Sequence, residues 1–518
     1  MDTTKQPCAV HGSSASDEPL AHASQDILAT LQHQCSCDPV SMGEYLPSPR
    51  TLAAGENARL VVTKPEPMEV DASTLDVDIE ASDDSTLSPA QRKALAMMKL
   101  HDQQHATSTV WGSMFTLTNT ILGSGTLAVP YAIASSGWLL GNAVMLAIAL
   151  LTRYSVFLLL SASDRAGVHS ARTYESLGHF TMGKWGTRLA EFTFIFGGFG
   201  TLVSYFMFIT DLFTVVLSVE ANHKWIITCV CMAFVILPLS LHRRLGRLRF
   251  SSVLAVLSIT YVVAFVFVAF LVVFFSSDAS TIPTNVQAVR FEPGSVYTVT
   301  LLIAAFACHN TALPVYDELR NRSIQRMDRA VFGAIGIAFV LYEAVGLFGY
   351  LQFGEATKDN ILLNFSPEYV AENNVIRLPL LVGRFCMGVA LLLTTPIAMW
   401  PFRSCLLSVY LRLKNNGVQT PSSAATTSEF ATVTLISQLL ILLCSIFVPS
   451  VKIPLSIVGS VSGSLLIFIM PSLFFMLQSP HQIVDKRHTG PLLMLGAGVC
   501  VGVLGLSLTL YKIYKEHI

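Results

Sequence analysis

The sequence predicts an all-α polytopic membrane protein with eleven transmembrane helices, and three observations predict it. Charged residues make up only 13% of the 518 residues, where a soluble domain carries roughly 25%. Hydrophobic residues reach 52%, and the mean hydropathy is +0.56. Apolar runs long enough to cross a hydrocarbon core, about 20 residues each, recur between residues 109 and 512. The runs are continuous, which excludes a β-barrel built from short alternating segments. A conventional soluble enzyme of this length would need more surface charge.

The chain divides by charge. Residues 1–108 hold 7 Lys+Arg and 16 Asp+Glu, and the remainder holds 26 and 18. The first part is rich in Ser, Thr and Asp and poor in aromatic residues, so it is expected to be a disordered, acidic, cytosolic N-terminal tail. It shows no basic-then-apolar signal peptide, so the first apolar run near residue 109 is expected to direct insertion. Cys35, Cys37 and His33 lack the second paired element of a zinc site. The seven membrane cysteines read as small apolar residues. No cofactor is expected.

Candidate spans lie near 109–134, 138–161, 190–217, 224–240, 251–275, 295–316, 330–352, 379–410, 430–448, 453–477 and 491–512. With the tail inside, the inner loops carry sixteen Lys+Arg and the outer side seven. That bias places the tail in the cytosol. Residues 109–512 are then the membrane domain, and 513–518 form a short extracellular or lumenal C-terminus.

Two spans are interrupted. The first contains Asn119-Thr-Ile-Leu-Gly123-Ser-Gly125-Thr-Leu-Ala-Val-Pro130. Two glycines and a proline so close together disfavour a continuous helix. The sixth contains Cys308-His-Asn-Thr-Ala-Leu-Pro314-Val-Tyr-Asp-Glu318, with polar groups and a proline at membrane depth. Four uninterrupted spans separate the two, and four more follow the sixth before the eleventh. That order predicts a LeuT-type 5+5 inverted repeat plus one extra helix, the architecture of secondary transporters.

A broken helix frees backbone groups that a ligand can satisfy. The half-helix starting near Gly125 offers N–H groups and a positive dipole end, suited to a carboxylate. Carbonyls freed near Ala305–Cys308 suit an ammonium. Both together fit a free amino acid. Candidate substrate-binding residues are Gly123, Ser124, Gly125, Thr126, Ser204, Tyr205, Phe306 and His309. Gly123-Ser-Gly-Thr-Leu-Ala128 also matches a dinucleotide fingerprint, but no strand precedes it. There is no Walker A, zincin or nucleophile-elbow motif, so neither nucleotide-driven pumping nor hydrolysis is expected, and the protein is not read as an enzyme.

Asn119, Thr394 and Thr395 supply oxygen atoms suited to Na⁺, or alternatively to a helix–helix hydrogen bond. His309 and Glu343 are ionisable groups within spans, hence proton-coupling candidates. Each can instead be a buried group paired with a neighbour. Arg153 has the reach to snorkel to the inner interface. Arg384 and Asp211 lie near outer span ends and read as interfacial.

The first motif, Asn119 to Ala132, resembles the first-helix motif of the amino acid/auxin permease superfamily. Cys308-His-Asn-Thr-Ala-Leu-Pro-Val-Tyr-Asp-Glu-Leu-Arg-Asn-Arg-Ser323 is similar to the sixth-helix motif of its sodium-coupled neutral amino acid transporters, solute carrier family 38. Thr394-Thr-Pro-Ile-Ala-Met-Trp-Pro-Phe-Arg-Ser404 is similar to their eighth-helix motif. The resemblance covers roughly 109–512 and not the tail. It implies eleven LeuT-type helices and symport of an amino acid. It implies Na⁺ binding by Asn119 and Thr394 and a carboxylate site on the Gly123–Gly125 backbone. Pro130 departs toward the vacuolar branch of the superfamily, and Asn310 stands where the subgroup usually has proline.

The expected function is therefore Na⁺ symport of amino acids, of the neutral class, by alternating access. Its expected partners are a small-molecule amino-acid substrate and the lipid bilayer, and no nucleic acid. The expected location is an integral, multi-pass place in the plasma membrane, with a vacuolar or lysosomal membrane as alternative. Two other readings stay open. One is an H⁺-coupled transporter. The other is an amino-acid sensor signalling through the tail, motivated by its acidity and by Ser48-Pro49 and Ser88-Pro89.

Overall fold

The computed structural model describes residues 108–166, 173–242, 249–275, 285–366, 369, 374–416, 422–479 and 488–517. These lie within one unit, Leu87–Ile518. Residues 1–107 of the expected tail, with its cysteines and Ser-Pro sites, lie outside the described residues.

The described residues are almost wholly helical. The first apolar run forms α1 (Val110–Ile121) and α2 (Gly125–Ser136). Thr109 caps α1 by accepting from the Gly112 N–H, the ordinary role of a threonine at that position. Leu122 is extended, with φ −73° and ψ 90°, and ends the helix. The chain resumes helical form at Gly125 with no side-chain cap. Pro130 inside α2 lacks an N–H, which leaves the Thr126 carbonyl without its usual helical partner.

Next come α3 (Trp138–Ala166), the short α4 (Tyr174–Met182) and α5 (Lys184–Val216). Helix α4 was not expected from the sequence. It falls in a polar loop and is started by a Thr173–Ser176 capping box. Helix α6 (Lys224–Ser240) contains a π-helical stretch at Met232–Ile236. Helix α7 is Arg249–Phe275. The sixth run splits into α8 (Val296–Ala305) and α9 (His309–Asp317). Then follow α10 (Ile324–Phe353), α11 (Asn374–Lys414), α12 (Thr427–Phe447), α13 (Lys452–Leu477) and α14 (Thr489–His517). Residues Gly459–Ile469 of α13 are π-helical.

Nine segments among the described residues are long and apolar enough to cross a membrane. The α1–α2 pair and the shorter α6 fall where the sequence places the first and fourth spans. Helices α3, α5, α6 and α7 separate the two interruptions. Helices α10 to α13 follow the second, and α14 comes last. The described helices thus follow the expected order, with an interruption at the start of each of two runs and α14 last.

Packing divides these helices into two groups. Helix α10 lies along α1, α2 and α3, while α8 packs on α2 and α9 on α1 and α3. Separately, α5 packs along α11, α4, α6 and α12. Helix α7 bridges α10 to α11, and α13 touches α8, α5 and α3. Most of the interior is one apolar cluster that includes Leu127, Ile303, Phe306, Tyr342 and Ile467, and a small second cluster surrounds Leu407, Leu411 and Phe430. Apolar side chains such as Phe234, Leu413 and Leu493 stay exposed on the outside, as lipid-facing helices require.

Arg384 corrects its interfacial reading. It is 7% exposed and donates to the carbonyls of Leu362 and Phe365, both at 2.7 Å. Those loop carbonyls supply the acceptors that let a guanidinium be buried. Arg153 pairs with Asp328 at 2.8 Å and lies over the Phe332 ring, so a partner on α10 holds it within the fold.

Candidate functional site

The two interruptions face each other at the centre. A Cβ built on Gly125 would stand 3.1 Å from Ala305 Cβ and 3.2 Å from Ala305 Cα. The start of α2 thus presses on the end of α8, and any Cβ at Gly125 would be tighter there than an ordinary contact. At this junction the N–H groups of Gly123, Ser124 and Gly125 find no acceptor among the described residues. Thr126 and Leu127 donate back to Gly123 and Ser124 in a tight turn. Uncapped N–H groups at a helix N-terminus are an anion site, favoured further by the helix dipole.

The opposite polarity lies beside it. Ile121 ends α1 and Ala305 ends α8, so each exposes a carbonyl with no helical donor. The Tyr342 hydroxyl lies 2.6 Å from Ile121 O and 3.2 Å from Ala305 O. Tyr342 is fully buried and stands edge-on to Phe306, with ring centroids 5.2 Å apart. Thr126 is also fully buried, with its side chain next to the Tyr342 hydroxyl. Unpaired donors and paired acceptors thus sit a few ångströms apart in an apolar interior. A carboxylate and an ammonium on one carbon match that arrangement.

The other expected substrate residues distribute unevenly. The Tyr205 hydroxyl lies 3.2 Å from where a Gly123 Cβ would be, so it closes the anion side. Ser204 is fully buried, but its hydroxyl donates to Gly200 O at 2.9 Å within α5. His309 opens α9 and is fully buried. Its Nε2 is 2.8 Å from Ser155 Oγ, and Ser155 donates its one proton to Ile467 O. The serine oxygen must therefore accept from His309, which fixes the proton on Nε2 and leaves Nδ1 as a bare acceptor. Nδ1 is buried with no hydrogen-bond partner. The histidine thus ties α9 to α3 and α13.

The expected cation ligands lie on separate helices. Asn119 Oδ1 is buried without a hydrogen-bond partner. Thr394 donates to Ala390 O at 2.9 Å and Leu391 O at 3.2 Å, and Thr395 to Leu391 O at 2.7 Å. Each hydroxyl oxygen keeps lone pairs for a cation. No hydrogen bond joins Asn119 to Thr394. Glu343 is half-buried on α10, and its Oε2 is buried without a partner. Among the described residues no cluster of three His, Cys, Asp or Glu side chains is placed to hold a metal.

A cavity of about 520 Å³ separates α9 from α5 and α11. Glu175, Glu191, Asn310, Pro314, Trp400 and Arg412 line it. Arg412 grips Glu191 through two bonds of 2.8 and 2.7 Å. These residues belong to the end that the positive-inside bias assigns to the cytosol. At the other end the loop 354–366 is clamped by Arg384, and Asp359 accepts from Ser450 on the α13 side. The cavity thus lies at the cytosolic end, while hydrogen bonds hold the loop 354–366 at the other.

Sequence reasoning missed Tyr342 and Ser155. Both read as ordinary members of apolar helices, and only the fold shows what they face.

The sequence of residues 106–515 matches the family described as transmembrane amino acid transporter protein. The sodium-coupled neutral amino acid symporter 2 of Danio rerio is 26% identical over 449 residues, which cover 81% of this chain and 84% of that protein. Among solved structures, MhsT in complex with L-phenylalanine aligns with a TM-score of 0.49 and 14% identity, over 77% of this chain and 98% of that one. A Na⁺-coupled sialic acid symporter aligns with a TM-score of 0.45 and 12% identity, over 79% and 89%. The chain is therefore a multi-pass membrane protein that belongs to the transmembrane amino acid transporter family of the amino acid/auxin permease superfamily, and it is a transporter and not an enzyme.

Proposed function

We propose that this amino acid transporter carries neutral amino acids by Na⁺ symport with alternating access. The observation that carries the reading is the meeting of the two interruptions. Three N–H groups at Gly123–Gly125 are left without an acceptor, as an anion site requires, and the Ile121 and Ala305 carbonyls lie on the other side. Tyr205, Phe306 and Tyr342 surround them with aromatic surface, which suits an uncharged side chain. The carboxylate of Glu191 on the cavity wall is already engaged by Arg412. The Danio rerio relative, named as a sodium-coupled neutral amino acid symporter, favours the same class.

In this cycle Na⁺ is a co-substrate. Asn119 Oδ1, the Thr394 hydroxyl and nearby freed carbonyls form the oxygen donor set a hard cation takes. One Na⁺ entering a negative interior supplies about 2.3 kcal/mol per 100 mV before any concentration gradient. Rocking of the α1, α2, α8, α9 group against the α5, α11 group would expose the site to each side in turn.

The test is uptake of a radiolabelled amino-acid panel into expressing cells, with Na⁺ replaced by choline at two pH values. Loss of uptake in choline at both pH values is expected. Uptake that survives choline and rises at acid pH would favour H⁺ coupling, for which the unpartnered Glu343 Oε2 is the specific observation. That outcome would also favour an acidic-organelle membrane over the plasma membrane. No uptake of any amino acid, with the protein confirmed at the surface, would overturn both.

Gly123→Ala supplies a finer check. Its Cβ would meet only the Tyr205 hydroxyl, the end of a side chain able to give way. Normal folding is expected, with KM for the amino acid raised about fivefold, equivalent to about 1 kcal/mol of crowding. Concentration-dependent uptake measures it.

A further inference from the structure

Tyr342 sits between the two interruptions on a third helix. Its hydroxyl lies within hydrogen-bond reach of the Ile121 and Ala305 carbonyls at once, at 2.6 and 3.2 Å. A phenol has one proton to donate. Two buried acceptors therefore share one donor. An ammonium brings three N–H groups and makes stronger, charge-assisted bonds, so it can serve both carbonyls together. The hydroxyl is also 3.9 Å from where a Gly125 Cβ would stand, beside the uncapped start of α2. The group thus stands where the ammonium of a substrate seated on Gly123–Gly125 would come. The Phe306 ring packs against it at right angles.

We propose that Tyr342 is a specificity-determining residue of the transport site. Its hydroxyl holds the Ile121 and Ala305 carbonyls in the substrate-free protein, and the incoming α-ammonium takes them over. The proposal rests on the two interruptions being the amino-acid site. Its consequence concerns ligands without an amine. In the wild type such a ligand leaves the carbonyls with Tyr342, so the cost of the missing amine is partial. Without the hydroxyl the same ligand leaves two buried carbonyls bare, which costs the full desolvation penalty. Removing the hydroxyl also spares an amino acid the displacement of a competing donor, and it slows release by leaving the empty site unsatisfied.

The experiment uses the full chain and its Tyr342→Phe, Tyr342→Leu and Tyr342→His variants. Uptake of radiolabelled L-alanine and L-arginine gives KM and maximal rate. Propionate and 5-guanidinopentanoate, which lack the amine, give inhibition constants. Shifts in melting temperature of the purified proteins with the same compounds report binding where uptake is lost. In Tyr342→Phe the preference for the amino acid over its amine-free analogue should rise by roughly tenfold. KM should fall and the maximal rate should fall with it. Tyr342→His, which keeps an N–H donor, should move the preference back toward wild type.

An unchanged preference in folded Tyr342→Phe or Tyr342→Leu would overturn the proposal. So would a parallel loss of affinity for both kinds of ligand, the mark of a purely structural tyrosine. Failure of both Tyr342→Phe and Tyr342→Leu to fold, with Tyr342→His behaving as wild type, would overturn it in the same way. If the wild type neither transports nor binds either amino acid, the site reading itself fails, and that result is distinct from an unchanged preference in an active protein.

Discussion

Gly125→Leu is expected to abolish amino-acid uptake, by ~100-fold or more, while the protein inserts and reaches the surface as usual. The reason is the junction of the interruptions. Even a single Cβ at Gly125 would stand 3.2 Å from Ala305 Cα, tighter than an ordinary contact. Backbone cannot rotate away as a side-chain tip can. A leucine adds three more carbons in the same direction, so α2 and α8 must move apart. A shift on the order of 1 Å separates the N–H groups of Gly123–Gly125 from the Ile121 and Ala305 carbonyls, and misplacement of that size costs about 100-fold in a positioned reaction. Insertion depends on the apolar length of the run, which leucine does not reduce. Labelled uptake together with surface biotinylation measures both halves of the expectation. Wild-type uptake by Gly125→Leu would remove the broken helix from the transport site.

The contrast between the interruptions and the residues around them shows what a single sequence makes legible. Span positions follow from local composition, because lipid requires each segment to satisfy its own backbone. The breaks at Leu122–Ser124 and Phe306–Cys308 are local as well, since glycine, proline and polar residues mark them. Their juxtaposition follows from the repeat order. Tyr342 was not legible. It precedes Glu343 in an apolar helix, and only the packing of α10 against α1 and α2 brings its hydroxyl to two carbonyls 221 and 37 residues away. Ser155 was hidden for the same reason, its partners His309 and Ile467 being 154 and 312 residues distant. Arg384 was misread because charge near a span end normally means an interface. The carbonyls of Leu362 and Phe365, which allow its burial, belong to a loop whose path no local pattern specifies. Helix α4 was missed because a short run in a polar loop lacks the apolar length that marks a span, although its capping box was present.

Asn119→Ala and Thr394→Ala carry the second large expectation. Each should raise the Na⁺ concentration for half-maximal uptake by roughly 10–100-fold, the loss of one charge-assisted ligand of about 1.5–3 kcal/mol. The two residues stand differently in the fold. Asn119 Oδ1 is buried on α1 and has no partner among the described residues, so removing it leaves no stranded donor behind. Its substitution should therefore lower Na⁺ affinity with little effect on stability. The Thr394 hydroxyl already donates to Ala390 and Leu391 within α11. Thr394→Ala removes that bond too, but a helix closes around alanine with no steric cost. Serine at 394 keeps the hydroxyl and should restore Na⁺ activation, whereas valine should not. Asn119 lies in the group of helices that moves in the proposed cycle, and Thr394 in the group that stays. A cation held between them would form its full ligand set only when the two groups close together. Substrate and Na⁺ should then strengthen each other's binding by the same factor, as linkage requires, and that factor should shrink toward one in either alanine variant. Na⁺ titrations of uptake at low and saturating amino acid measure it. Unchanged Na⁺ activation in both variants would remove Na⁺ from these residues and leave Glu343 and H⁺ as the coupling route to examine.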